Sequence, residues 1–440
     1  MTEARIIRSY YRLSGLYTLA ASMIWGVNTL FLLDAGLSVQ AVFVVNAVFS
    51  AGMVLFEIPT VVIADTLGRR ASYLLSVIVL AVTTLLYLLC AQAESGPWVF
   101  GVVSLFMGLG FTFYSGALEA WLVDALRSVG VDGDLDHVFA RSAQVTGLAM
   151  LVGTTTGGFL GQIDLAVPFV VRAVVLVGVF GLAWRGMHEM GFTPRPLRLD
   201  SIGGELREQT QVGVSYGWRD RGMRLLMLSG LARGAVLSFA FYAAQPYFLE
   251  LLGDDKIWVV GVITALMSLS TIAGNQLVEV LTRRCGRRTT LIFGGSVATT
   301  IGLLVMGLTD SFWVAVPAFL LMTTSLGVIT PVRQAYVHHV APTEHRATVI
   351  SFDAMIASVG GVGGQLGLGR LADSRGFAAG YVVGGIVTAT VWPLVLGVRR
   401  IGGEPDEIVG SRARQGTCAA QGLPRDAHVE SHSREVVTSR

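Results

Sequence analysis

The chain has 440 residues, 53% of them hydrophobic and only 14% charged, with a mean hydropathy of +0.63. Soluble domains carry about a quarter charged residues, so this balance excludes an ordinary water-soluble enzyme and points to a membrane protein. The net charge of +2 identifies no partner, because the charges are sorted by position, and the three cysteines (Cys90, Cys285, Cys418) fit no disulfide framework.

Crossing the hydrocarbon takes about 20 mostly apolar residues. Hydropathy windows place twelve such segments, centred near Ser22, Met53, Val82, Phe111, Val152, Val177, Val236, Met267, Gly302, Met322, Ala357 and Ala389. The polar start, with Arg5, Arg8 and Arg12, leads into a segment of full membrane length, so no cleavable signal peptide is expected. Small residues such as Gly153, Gly157, Gly158 and Gly161 in the fifth segment predict close helix approach. Between the sixth and seventh segments, Leu199, Ile202, Leu206, Tyr216 and Trp218 alternate with Arg, Glu and Gln, a pattern that predicts an amphipathic helix on the inner membrane face. Beyond Ile401 the chain turns polar and loses periodicity, which predicts a disordered tail.

Loop charges orient the expected bundle. With the N-terminus inside, one set of loops receives Arg69, Arg70, Arg127, Arg141, Arg283, Arg284, Arg287, Arg288, Arg346, Arg399 and Arg400. The other set receives mainly acids, among them Asp34, Glu94, Asp164, Glu250, Asp254, Asp255 and Asp310. Positive-inside sorting produces this asymmetry and places both termini in the cytoplasm.

The chain also repeats itself. Gly68-Arg69-Arg70 recurs as Gly286-Arg287-Arg288, Glu119-Ala120-Trp121 as Gln334-Ala335-Tyr336, and Arg141 with Ala149-Met150 as Arg346 with Ala354-Met355. Two related halves follow: an N-terminal six-helix bundle over 1–186, a linker over 187–222, a C-terminal six-helix bundle over 223–400 and a tail over 401–440. Parallel repeats with a site between them suit an alternating-access carrier.

The loop Asp65-Thr66-Leu67-Gly68-Arg69-Arg70 after the second segment resembles the signature connector of the Major Facilitator Superfamily, Gly-x-Leu-Ala-Asp-x-x-Gly-Arg-Arg/Lys. Ser115-Gly116-Ala117-Leu118-Glu119-Ala120 and Arg346-Ala347-Thr348 are further likenesses, and the resemblance runs from about Tyr10 to Arg400. Val61 departs from the motif's first Gly, Arg283 replaces the acid in the second copy, and the drug exporters' fourth-span arginine is absent, with Thr112 near its place. The resemblance implies an all-α membrane fold of twelve transmembrane helices in two pseudo-symmetric six-helix bundles. It also implies an inner latch of Asp65, Gly68, Arg69, Arg70, Asp124 and Arg346. In that latch Asp65 meets the start of span eleven near Arg346 and Arg69 reaches Asp124. An acid gains from the partial positive charge at a helix N-terminus, and an Arg adds charge-assisted bonds. Gly369-Arg370-Leu371-Ala372-Asp373 matches part of the same pattern but falls on the outer side, where it reads as a helix end.

Helical spacing nominates a central cavity. Trp25 with Asn28 and Tyr242 with Gln245 sit three apart; Ser115 with Glu119 and Thr330 with Gln334 sit four apart, so each pair shares a helix face. Among aromatics these polar groups suit a partly apolar ligand, although such groups also serve as packing glue between helices. Glu57, Glu119, Arg333 and Asp353 lie six or seven residues from an inner helix end, about 10 Å deep at 1.5 Å per residue, and Arg233 lies deeper. A carboxylate shielded from water there could take up and release a proton during a transport cycle. Glu119 is the first candidate because its repeat partner Gln334 cannot titrate, and Glu57 is the second. A charge layer of Arg233, Arg333 and Asp353, with Glu119 or Asp353 paired to Arg333, is the competing account.

No P-loop and no zinc-spaced cluster occurs, and adjacent His338 and His339 point to different helix faces, so neither an enzyme nor a metal or other cofactor is expected. The expected function is proton-coupled export of a small partly apolar compound, driven by the proton gradient. The expected location is the inner or plasma membrane and the expected state a monomer. The partners are a small-molecule substrate, protons and the lipid bilayer, with no nucleic acid. Proton-coupled uptake of a sugar or organic acid is the alternative within transport, and a non-transporting sensor the alternative outside it.

Overall fold

A computed structural model describes residues 2–131, 133–192, 204, 211 and 213–408, and every element in it is helical. Span one is split into Glu3–Ser22 and Asn28–Asp34; Val39–Leu67 and Arg69–Gln92 are spans two and three. Span four is split into Pro97–Tyr114 and Ala117–Ser128, and spans five and six are Asp136–Gly161 and Val167–Gly186. Spans seven to eleven are Arg221–Leu252, Ile257–Arg284, Arg288–Leu308, Phe312–Val340 and Arg346–Arg375, and span twelve comprises Phe377–Ala389 and Val391–Ile401. Ten of these helical spans are long and apolar enough to cross a membrane. The other two are span one, which is interrupted, and span five, where Thr and Gly dilute the apolar run. Both pack into the same bundle as their neighbours.

The repeat read from the sequence reappears as a repeated pairing. In the N-terminal half span one packs on five, two on four, and three on four and six. The C-terminal half pairs seven with eleven, eight with ten, and nine with ten and twelve. Each pairing is thus its counterpart advanced by six helices. Between the halves, span five lies on eight and span two on eleven, which are again equivalent contacts.

Small residues set these distances, as helix association in lipid requires when burial of apolar surface supplies no drive. A Cβ on Gly157 would collide with the carbonyl of Met23 in span one, and one on Gly360 in span eleven would collide with the carbonyl of Leu231 in span seven. Between the halves, a Cβ on Gly158 would lie 2.7 Å from Cα of Gly261.

The linker helix predicted over 199–218 lies outside the described residues for most of its length; Gly213–Trp218 forms a short π-helical turn. The tail departs from its predicted boundary. Residues 402–408 fold back on the second connector, with Asp406 buried and Ile408 N–H bonded to Gly286 O at 2.9 Å. Polar composition alone suggested disorder, but the unpaired N-terminus of span nine gives this acid a partner. Residues 409–440 lie outside the described residues.

Overpacking costs about 1–3 kcal/mol where the backbone must shift. Gly157→Ala and Gly360→Ala should therefore each lower the thermal melting midpoint of the detergent-purified protein. Gly178→Ala, with no neighbour within 4 Å of an added Cβ, should leave it unchanged.

Candidate functional site

A cavity of about 530 Å³ lies between the bundles, lined from spans one to six on one side and seven and eight on the other. Trp25, Asn28 and Tyr242, nominated by helical spacing, are in its wall with Asn46, Phe49, Phe111, Arg172 and Thr271. Trp25 is carried by the break in span one, and Asn28 donates from Nδ2 to Asn46 Oδ1 at 3.1 Å.

Gln245 is not in that wall. It is buried, and both ends of its amide are occupied: Nε2 donates to Trp25 O at 2.8 Å, and Oε1 accepts from Thr29 N–H at 2.8 Å. A break in a membrane helix frees backbone groups that must be satisfied by neighbours, and Gln245 of the opposite bundle satisfies two of them. The residue therefore ties the halves together rather than facing a ligand. More ties lie at the same end of the molecule, where the loops are acidic. Gln40 N–H reaches Asp373 Oδ1 at 3.1 Å, Gln162 Nε2 reaches Asp255 O at 3.1 Å, and the rings of Phe43 and Phe239 stack at 5.2 Å. These contacts hold the two halves together at this end of the cavity.

Toward the arginine-rich end a second cavity of about 210 Å³ adjoins the first, sharing Met53 and Phe111 with it. Glu57 and Ser115 line it beside Ser238 and Ser358 of the other half. Glu119 lines neither cavity. It is exposed in the short helix that restarts after the break at Gly116 (φ +71°), near enough to Tyr10 and Tyr114 to act on them electrostatically. Gln334 is also exposed and outside both walls, while Thr330 Oγ1 accepts from Arg233 Nη1 at 3.2 Å.

Of the two pairings foreseen for Arg333, the structure holds the one with Asp353. Arg333 Nη1 and Nη2 each lie 2.5 Å from a carboxylate oxygen of Asp353, and Nη2 also donates to Leu226 O at 3.2 Å. Both residues are buried, so the pair locks spans ten, eleven and seven together. Arg233 lines a small void beside Arg333, bringing the three charged residues into one layer.

At the first connector Arg69 contacts Asp65 and lies 3.8 Å from Asp124, all within the N-terminal bundle. Two residues missed in the sequence complete these connectors. Glu189, after span six, accepts from the N–H groups of Arg69 at 3.2 Å and Arg70 at 3.0 Å, capping span three. A Cβ on Gly68 (φ +101°) would stand 2.5 Å from its Oε2. Asp406, after span twelve, accepts from Thr289 N–H at 2.7 Å and caps span nine in the same way. The available signal was an acid a few residues after the sixth helix of each half. Arg172 was also missed; its signal was a lone Arg in the run Phe169-Val170-Val171-Arg172-Ala173-Val174.

A family model for the Major Facilitator Superfamily matches residues 13–365 and 238–417. The chain belongs to that superfamily. It is 25% identical over 279 residues to the class E tetracycline resistance protein of Escherichia coli, covering 62% of this chain and 64% of that protein. It is likewise 25% identical over 277 residues to the class C protein of the same organism, covering 58% and 64%. The matches thus span less than two thirds of the length of these relatives. The solved nucleoside transporter NupG superposes with a TM-score of 0.72 at 11% identity, covering 90% of this chain and 99% of that structure, a likeness of fold. Superfamily membership and the apolar helices together make this a multi-pass membrane protein.

Removing one member of a buried ion pair costs about 3–5 kcal/mol because the other charge is left unpaired, whereas replacing both with apolar residues is often neutral. Asp353→Asn should therefore sharply lower the melting midpoint, and the double change Arg333→Leu with Asp353→Leu should recover most of the loss.

Proposed function

We propose that the chain is a secondary active transporter that works by alternating access and exports a small, partly apolar compound from the cytoplasm in exchange for protons. One observation carries this reading: a ligand-sized cavity built from both pseudo-symmetric halves, which are held together toward the acidic end. Positive-inside sorting assigns the arginine-rich end to the cytoplasm, so the conformation described has its outer mouth closed. The mixed aromatic and methionine wall suits an apolar body, since thioether side chains adapt to varied shapes. The names of the tetracycline resistance proteins support export as the direction.

In the opposite conformation the outer ties open and the inner rim closes, with Asp65 drawn to the start of span eleven near Arg346. The contacts of Arg69 with Asp65 and Asp124 hold the first connector in position for that clasp. Ligands shift such an equilibrium only through differential affinity for its two states. Glu57 and Glu119 are the proposed proton carriers. Glu57 stands in a wall shared by both bundles, so its surroundings change as they rock. Glu119 has no ion pair among the described residues and lies beside the helix break.

Cells expressing the protein should retain less of the uncharged dye N-phenyl-1-naphthylamine than control cells, and a protonophore should abolish the difference. Raised dye content on expression would instead support uptake. Glu57→Gln and Glu119→Gln should each stop gradient-driven efflux while leaving dye binding to the purified protein intact, and full efflux in either variant would remove that residue from coupling. Gly261→Leu should pry apart the outer seal, so that a cysteine placed at Asn28 becomes labelled from outside by a membrane-impermeant maleimide.

A further inference from the structure

Arg172 is fully buried, with 0% of its surface exposed, yet among the described residues none of its three guanidinium nitrogens has a hydrogen-bond partner. It lies on the stripe of span six formed by Phe169, Arg172, Ala173 and Leu176, the buried face of that helix, so its head cannot snorkel to the interface. It is part of the wall of the main cavity. No ion pair to Arg172 exists among the described residues, the titratable groups that act on it are the phenols of Tyr17 and Tyr87, and the cavity wall contains no carboxylate. A second buried atom in the same wall is also unpartnered, Asn46 Nδ2. Every unpartnered buried polar atom of the wall is therefore a donor, and the wall carries one uncompensated positive charge.

A buried guanidinium with neither counter-ion nor acceptor is costly. A fold that needed only packing at position 172 would be served better by an aliphatic side chain. The missing partner is an acceptor bearing negative charge, and the empty space beside it is bounded by rings.

We propose that the cavity takes an amphipathic organic anion, its carboxylate, sulfonate or enolate group held by Arg172 and Asn46 and its apolar body lying among Trp25, Phe49, Phe111 and Tyr242. This names the substrate class of the transport reading above and rests on it. A lipophilic cation is disfavoured by the same field. Glu57 stands in the adjoining cavity rather than in this wall, so the anion site and the nearest carboxylate are separate.

Two dyes with one ring system distinguish charge from bulk: 8-anilinonaphthalene-1-sulfonate and the uncharged N-phenyl-1-naphthylamine. Binding is measured on full-length protein in nanodiscs of zwitterionic lipid, with empty discs as the blank. The parent should hold the sulfonate about tenfold or more tightly than the neutral dye, as a charge-assisted bidentate contact implies. Arg172→Gln and Arg172→Met should bring the ratio to about one with neutral-dye affinity unchanged, since only the charge-assisted contact is lost, and Arg172→Lys should restore part of it. Without ligand Arg172→Met should melt no lower than the parent, and the sulfonate should no longer raise its midpoint. A parent indifferent to the sulfonate, or an Arg172→Met variant that keeps the preference, overturns the proposal. If the substituted proteins do not fold, the parent's ratio and its loss in Asn46→Leu still decide. Preferential binding of the sulfonate with no movement of either dye would sink the transport reading and leave the anion site standing. Efflux of the neutral dye with no sulfonate preference would do the reverse.

Discussion

In hydrocarbon, two helices gain nothing by hiding apolar surface from lipid that is equally apolar, so what holds this molecule together is how closely its backbones approach. Gly157 against Met23, Gly360 against Leu231 and Gly158 against Gly261 place main chain on main chain at the helix crossings. The first two join corresponding spans, five to one and eleven to seven, and fix the inside of each bundle. The third joins the bundles at one end only. Packing is thus tight within each half, and the halves meet along spans five and eight and spans two and eleven.

The same medium dictates what becomes of polar groups. A broken helix is tolerated where a neighbour satisfies the freed backbone, and Gln245 does this for span one from across the interface. That contact makes the cavity wall and the seam between the halves parts of one unit: the turn that carries Trp25 into the cavity is held by the opposite bundle. Any separation of the halves at this contact would therefore reshape the cavity wall. Arg333 and Asp353 show another outcome, a buried charge neutralised within its own bundle and committed to structure. Arg172 shows a third, a buried charge with no hydrogen-bond partner among the described residues.

Charges at the rim follow a different logic, that of satisfying free helix N-termini. Glu189 and Asp406, each a few residues past the last helix of its half, accept from the first N–H groups of spans three and nine. Both connectors are therefore clamped from the same relative position, and the second copy keeps its architecture although Arg283 has replaced the acid of the first. Arg283 pairs instead with Glu279 on its own helix. A duplicated scaffold has kept its helix capping while only the first copy retains the ionic cluster of Asp65, Arg69 and Asp124.

Composition, the period of the apolar runs and the sorting of arginines were enough to read twelve helices in two halves, because a bilayer imposes length and polarity on each segment separately. The residue pairs at helical spacing led to Trp25, Asn28 and Tyr242, since a helix face is a local property. Whether Gln245 points at a ligand or at a broken backbone, whether Arg333 takes Glu119 or Asp353, and whether Glu57 or Glu119 borders a cavity all depend on which helices meet and at what depth. Those contacts join residues as far apart as Trp25 and Gln245, and no short-range pattern encodes them. Arg172 makes the division plain. The chain displays an arginine within an apolar run, but only the packing of span six against the rest of its bundle leaves that arginine buried, unpaired and in the wall of the cavity.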